Sequence, residues 1–232
     1  MRRLTPIFLF LALWGSTARA GARVFVYYPS LARPLAIQEA LAKRCPGLEI
    51  SVFGRLADLQ AMVGREPPQA ILAQAAVLSQ FPDYHARLQG TRAGAITEDY
   101  VLLSIETPVD VAKISATTVG VVGILDRKEM DGFVSGLVAG TPRVNRVTKV
   151  EDLLPLLIFQ SVSAVLVSEA NMKEFQKKSQ AKLVEVKLDK AKVGLVAAGF
   201  KAGAADADKQ ILPALQALDA GTLAMLGVDA WK

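Results

Sequence analysis

Seven polar or charged side chains of this chain follow predicted strands, at the points where those strands end. Arginine, serine, tyrosine and glutamine donate hydrogen bonds, and an arginine can bind a carboxylate or phosphate through two parallel bonds. In an open parallel sheet, ligands lie beyond the carboxyl ends of the strands, where helix N-termini present free N–H groups that favour anions. The pattern therefore predicts a site for a small anionic ligand, formed by Tyr28, Ser30, Arg55, Gln74, Arg127, Ser168 and Glu169.

Most of these positions also have a purely structural interpretation. Ser30 and Ser168 are suitable N-caps for the helices that follow them. Arg55 and Arg127 could be solvated first-turn residues, although the helix dipole does not favour arginine there. Tyr28 could belong to the core. The sequence alone leaves both interpretations open.

Catalytic chemistry finds little support in the composition. The chain has one histidine, His85, and one cysteine, Cys45. A single histidine excludes multi-histidine zinc sites, and no cluster of His, Cys, Asp and Glu at ligand spacing replaces them. A Ser-His-Asp triad would have to use His85, yet no G-x-S-x-G motif is present. We therefore predict no enzymatic activity, no catalytic residue, no metal and no cofactor.

The first twenty residues, MRRLTPIFLFLALWGSTARA, have the three parts of a secretory signal peptide: a positive start, an apolar stretch and a small-x-small cleavage site. The apolar stretch is far shorter than the ~20 residues that span a bilayer. Cleavage after Ala20 or Ala22 would release a periplasmic protein. A single cysteine cannot form an internal disulfide, so export has not produced a disulfide-stapled scaffold.

The net charge of +5 gives little support for nucleic-acid binding. Arg2, Arg3 and Arg19 of the signal account for three of the 27 basic residues, which leaves 24 against 22 acidic residues. No basic stripe with interleaved aromatic residues is present, so we expect no nucleic-acid partner.

Two α/β units follow one another along the chain. Apolar strands alternate with amphipathic helices through residues 23–73, the order that is typical of a parallel sheet. Residues 75–88 are predicted as a helix broken at Pro82, and the same alternation resumes from residue 118. We predict a first lobe over residues 21–105, a second over 106–198, and C-terminal helices over 199–232 that pack back on the lobes. Residues 104–115 would then form a hinge between them.

The chain resembles the periplasmic substrate-binding proteins of the second structural type, in particular their phosphate/phosphonate/sulfonate-binding branch. The resemblance covers the whole mature chain and rests on three segments: RVFVYYPSLARPLAIQEALAKRCPGLEISVF, VEDLLPLLIFQSVSAVLVSEANMKEF and KVGLVAAGFKAG. It implies an α/β fold with two lobes, mostly parallel sheets and flanking helices. It also implies a monomer that captures a phosphate- or phosphonate-like ligand and delivers it to the membrane permease of an ABC importer, or presents it to a sensor.

One turn departs from that branch, where a Ser/Thr-rich turn usually binds the anion. Residues 123–127 (GILDR) offer no hydroxyl group, and Asp126 would repel an anion. This departure keeps a second interpretation open, a ligand-free accessory or assembly protein on the same scaffold. An exported enzyme on that scaffold is the third interpretation.

Overall fold

The computed structural model describes residues 21–232. The predicted signal peptide, residues 1–20, lies outside the described residues. The N-terminal part of the described chain alternates strands and helices. Its elements are β1 (Ala22–Tyr27), α1 (Pro34–Arg44), β2 (Leu48–Phe53), α2 (Leu56–Arg65), β3 (Ala70–Gln74), α3 (Ala75–Leu78) and β4 (Tyr84–Thr91).

The middle of the chain supplies the second group of elements. These are β5 (Thr97–Ile105), β6 (Thr118–Val122), α4 (Arg127–Val138), β7 (Arg143–Val147), α5 (Leu153–Ile158), β8 (Ala164–Ser168), α6 (Glu169–Lys178) and β9 (Leu183–Gly194). The chain ends with β10 (Val196–Lys201), α7 (Ala205–Gln216), α8 (Ala220–Met225) and β11 (Ala230–Trp231).

The strands form two mixed sheets, which define the two lobes. The first sheet has six strands in the order β11-β4-β10-β3-β1-β2, and the second has five in the order β7-β6-β8-β5-β9. Strand β1 pairs in parallel with β2 and β3, and β6 pairs in parallel with β7 and β8. Strands β3 and β8 read AILAQ and AVLVS and are buried along their whole length, as expected for central strands covered on both faces. The predicted two-lobed α/β fold is confirmed.

The lobe boundary differs from the one expected from sequence. Residues 97–105 were assigned to the first lobe, but β5 pairs with β8 and β9 and lies in the second sheet. The C-terminal β10 returns to the first sheet between β3 and β4. The chain therefore crosses between the sheets at residues 92–96 and again at Leu195, and not at the predicted hinge, 104–115.

The predicted helix over residues 75–88 is wrong in its second half. Helix α3 ends at Leu78, and residues 84–91 form β4 instead. Pro82 prevents a helix from continuing into residues 82–88, since proline lacks the N–H that a helix needs. The later residues gain more from pairing on both sides, with β10 and β11. Tyr84 and Leu88 then point into the core.

One hydrophobic core extends through both lobes. It includes Phe25, Leu59 and Ile71 of the first lobe together with Val119 and Met130 of the second. Gln80 Nε2 also donates across the lobes to the Ile124 carbonyl, at 3.1 Å. The lobes are therefore packed against each other, and the space between them is closed. Helices α7 and α8 pack on the outer face of the first sheet.

Candidate functional site

The strand ends of both lobes meet at a buried polar cluster. Gln74 ends β3 and Ser168 ends β8, and each is at most 2% exposed. Tyr28 directly follows β1 and is half-buried. Three of the seven predicted site residues are thus brought together, as the carboxyl-end argument requires.

Glu98 of β5 lies at the centre of this cluster and is 7% exposed. Its Oε2 accepts from Arg92 Nη1 at 3.0 Å, and its Oε1 accepts from Gln74 Nε2 at 3.4 Å. The pKa of Glu98 is raised because burial disfavours the carboxylate, while Arg92 and hydrogen bonds from Ser168 and Gln74 oppose the rise. The group is thus a buried carboxylate held by donors from both lobes.

Two tyrosines, Tyr28 and Tyr100, lie beside the carboxylate, and Tyr27 lies next to Tyr100. The Tyr100 hydroxyl accepts from Gln74 Nε2 at 3.5 Å. Burial, with a contribution from Glu98, raises the pKa of Tyr28 to about 12 and raises the pKa of Tyr100 as well. The Tyr27 hydroxyl and Gln74 Oε1 are buried without a hydrogen-bond partner within the described chain. The cluster thus retains unused hydrogen-bonding capacity.

A small cavity lies in the interior next to the cluster. It is about 20 Å³ in volume and is lined by Tyr100, Ser168 and Asn171 together with apolar side chains such as Val121 and Met130. That is room for about one water molecule. In this closed arrangement, the protein's own side chains occupy the deep part of the cleft.

An open groove lies at the mouth of the cleft, between residues 28–35 and 54–58 of the first lobe and residues 148–151 of the second. Its volume is about 720 Å³. Ser30 and Arg55 line this groove, and each already has an intramolecular partner. Ser30 Oγ accepts from the Ala32 amide at 3.3 Å, and Arg55 binds Asp58 through two bonds of 2.8 and 2.9 Å.

The remaining two predicted residues, Arg127 and Glu169, line neither the cavity nor the groove. Arg127 is exposed in the first turn of α4, where its carbonyl accepts from Arg146 Nη1 at 2.9 Å. The Glu169 carboxylate lies 3.9 Å from Lys187 Nζ. Asp126 of the atypical turn is the N-cap of α4, with Oδ1 accepting from the Glu129 amide at 3.0 Å. The structural interpretation therefore accounts for this turn.

Arg92, Glu98 and Tyr100 are not among the seven residues predicted from the sequence. The signal was present in the alternation of β5, TEDYVLLSI, which directs Glu98 and Tyr100 to one face and Thr97 and Asp99 to the other. The wrong lobe assignment concealed it, because an acidic residue at the start of a peripheral strand would simply face solvent.

Nothing in the described part of the chain suggests a resident metal. Across residues 21–232, no group of three or more His, Cys, Asp and Glu side chains is placed to hold an ion. In the same residues, no helix combines the length and apolar character that crossing a membrane requires.

This arrangement of two α/β lobes is similar to solved structures of periplasmic binding proteins. For the periplasmic VFT2 domain of Bordetella pertussis BvgS, the TM-score is 0.59 at 15% identity, covering 88% of this chain and 92% of that one. For the L-arginine-bound amino acid ABC transporter substrate-binding protein of Streptococcus pneumoniae, the TM-score is 0.60 at 13% identity, covering 88% of this chain and 92% of that one. For the aliphatic sulphonate binding protein SsuA of Escherichia coli, the TM-score is 0.61 at 12% identity, covering 88% of this chain and 73% of that one.

No protein-family model matches the sequence, and no curated protein matches it. At sequence identities of 12–15%, the structural similarity establishes the fold alone: the chain has the two-lobed α/β architecture of periplasmic binding proteins.

Proposed function

We propose that this chain is an exported solute-binding protein that captures a small anionic ligand between its lobes for an ABC importer or a sensor. The observation that carries the proposal is the buried polar cluster, in which Gln74 of the first sheet and Ser168 of the second meet at their strand ends. When the lobes open, the ligand would take the place of Glu98 on Gln74 and Ser168 and would also contact Tyr28. Ser30 and Arg55, which line the groove at the mouth, would contact its outer part.

The ligand class follows from the donors near the site. Amide, hydroxyl and guanidinium groups suit an oxyanion, and the sequence resemblance favours a phosphate- or phosphonate-like one. The similar structures include proteins named for sulphonate binding and for binding L-arginine. A binding protein of this kind acts as a monomer, without a cofactor and without catalysis.

The second candidate is the ligand-free accessory or assembly protein. The cavity of about 20 Å³ beside the cluster favours it, because the closed lobes leave no room for a solute there. The two candidates differ in whether the lobes open, since a solute-binding protein has to exchange its closed state with an open one.

Thermal-shift screening of the mature chain against phosphate, phosphonates, sulfonates and organic acids tests the proposal. A binding protein is stabilised by its ligand, so at least one class should raise Tm in a concentration-dependent way. If no solute does so, the proposal fails and the accessory protein remains.

Arg55→Ala then tests the anionic character of the ligand. A charge-assisted contact is worth about 1.5–3 kcal/mol, so affinity measured by calorimetry should fall about 10- to 150-fold. Arg65→Ala is the matched control, because Arg65 is an exposed arginine at the far end of the same helix. If Arg55→Ala binds the ligand as tightly as Arg65→Ala does, Arg55 does not contact the ligand.

A further inference from the structure

The environment of Glu98 is that of a bound ligand rather than of an ordinary core residue. Its carboxylate is held by groups from three separate parts of the chain: Arg92 at the crossing, Gln74 of the first lobe, and Ser168 of the second. A free carboxylate trapped between two closed lobes would meet the same kind of arrangement.

Size supports the same interpretation. The space that remains beside Tyr100 and Ser168 is about 20 Å³, enough for one water and too small for a solute. The donors of the cluster are therefore already engaged by a side chain of the protein. Because Glu98 is covalently attached, its binding costs none of the translational freedom that a free ligand loses.

The hydrogen-bond donors of the cluster also favour an occupant that carries acceptor oxygens. The Arg92 side chain is about one-third exposed, and its guanidinium also donates to the Gly227 carbonyl. Without the carboxylate, the donors of Arg92, Gln74 and Ser168 would lose their shared acceptor. Leaving buried donors unsatisfied costs about 1–3 kcal/mol, more where one of them is charged.

We infer that the cluster is a carboxylate-binding site whose occupant is Glu98 itself, a tethered ligand that closes the lobes without a solute. The ligand class that fits the donors once the side chain is gone is a small monocarboxylate. This inference rests on the proposed function only in placing the binding site in the cleft.

Acetate is the probe that fits, because Glu98→Ala removes four heavy atoms, one methylene carbon and the carboxylate, and acetate has the same four. We expect Glu98→Ala to melt at a lower temperature than the wild type in chloride. Sodium acetate at matched ionic strength should raise the Tm of the variant by about 3–6 °C at ten times its dissociation constant.

The wild type should not respond over the same acetate range. The matched control is Glu66→Ala, which removes an exposed carboxylate whose partner, Arg23 Nη1, also lies at 3.0 Å. It too should not respond, because it creates no enclosed site. Adding Gln74→Leu to Glu98→Ala should remove the acetate response.

Three results would overturn the inference. One is a folded Glu98→Ala variant that ignores acetate. Another is a Glu98→Gln variant that responds as strongly, since the glutamine side chain still fills the site. The third is a Glu98→Ala variant that folds in neither salt. If the variant fails to fold in chloride alone, refolding should succeed in acetate. These results do not depend on whether a solute binds the wild type, so the proposed function stands or falls separately.

Discussion

At the scale of single residues, the titration of Glu98 gives the first prediction. Its pKa is raised from 4.5, so the native state holds a proton where the unfolded state has lost it. The stability that this proton gives is present at low pH and is lost as pH rises through the folded pKa. The charged and titratable groups that face the carboxylate are Arg92, Tyr28 and Tyr100.

Glu98→Gln removes this titration and keeps the shape of the side chain. We therefore expect the free energy of unfolding of the wild type, relative to the variant, to rise as pH falls from about 7 toward about 4.5. Urea unfolding at several pH values measures that difference. A difference that stays constant across the range contradicts the assignment.

Gly227 gives a second prediction at this scale. It has φ +73°, and a Cβ there would overlap the Tyr28 hydroxyl and come within 2.8 Å of Arg92 Nη2. Gly203 has φ +82° with open space around it, which makes it the matched control. Gly203→Ala should cost about 1–2 kcal/mol from the left-handed backbone alone.

Gly227→Ala should cost about 1–3 kcal/mol more than its control, because it also overpacks the cluster. Chemical denaturation of both variants gives the two values. Equal losses would show that Tyr28 and Arg92 are not held against this glycine.

At the scale of elements, the C-terminal segment fixes the first crossing between the lobes. The crossing is a tight turn. The main chains of Arg92 and Ala95 donate hydrogen bonds to each other's carbonyls, and Ala93 has φ +48°. Asp229 Oδ2 accepts from the Ala93 amide at 2.6 Å, and Asp229 Oδ1 accepts from the Thr91 hydroxyl at 3.4 Å. The segment that precedes β11 thus holds the turn from which β5 departs.

Removing this contact should loosen the crossing without unfolding the lobes. Asp229→Ala is expected to cost about 1.5 kcal/mol and to speed hydrogen exchange at the Ala93 amide. Asp206→Ala is the control, since that side chain is 98% exposed and pairs only with Lys209 in the described chain. Unchanged exchange at Ala93 in Asp229→Ala would contradict a role for Asp229 at the crossing.

Local sequence pattern predicted the order of helices and strands better than it predicted which strands pair with one another. The alternation of strands and helices predicted for residues 23–73 is confirmed by β1, α1, β2, α2 and β3, because period and terminating residues are local signals. The sheet to which β5 belongs depends on partners more than sixty residues away along the chain. No local pattern contains that information, so the boundary and the hinge were misplaced.

The candidate site shows the same division. Tyr28, Gln74 and Ser168 were found together because parallel strands end at the same edge of a sheet. Arg127 follows a strand equally well, yet it lies exposed in the first turn of α4. The burial of Glu98 could not be predicted from its local pattern, since it depends on β5 crossing into the second sheet.

At the scale of the whole molecule, export is the remaining prediction. Cleavage after Ala20 or Ala22 should give a mature periplasmic protein that begins at Gly21 or Arg23. N-terminal sequencing of the exported protein reads this directly. Intact Met1 recovered from the membrane fraction would contradict it.

The central claim is that a solute binds between the lobes at the polar cluster. Hydrogen–deuterium exchange of the wild type, with and without each solute of the screening panel, tests it most directly, because it reports both binding and its location. We predict that one solute class slows exchange around residues 27–30, 74–76, 98–100 and 168–171, and leaves the outer helices α7 and α8 unchanged. Slowed exchange confined to other segments, or none with any solute, would contradict the claim.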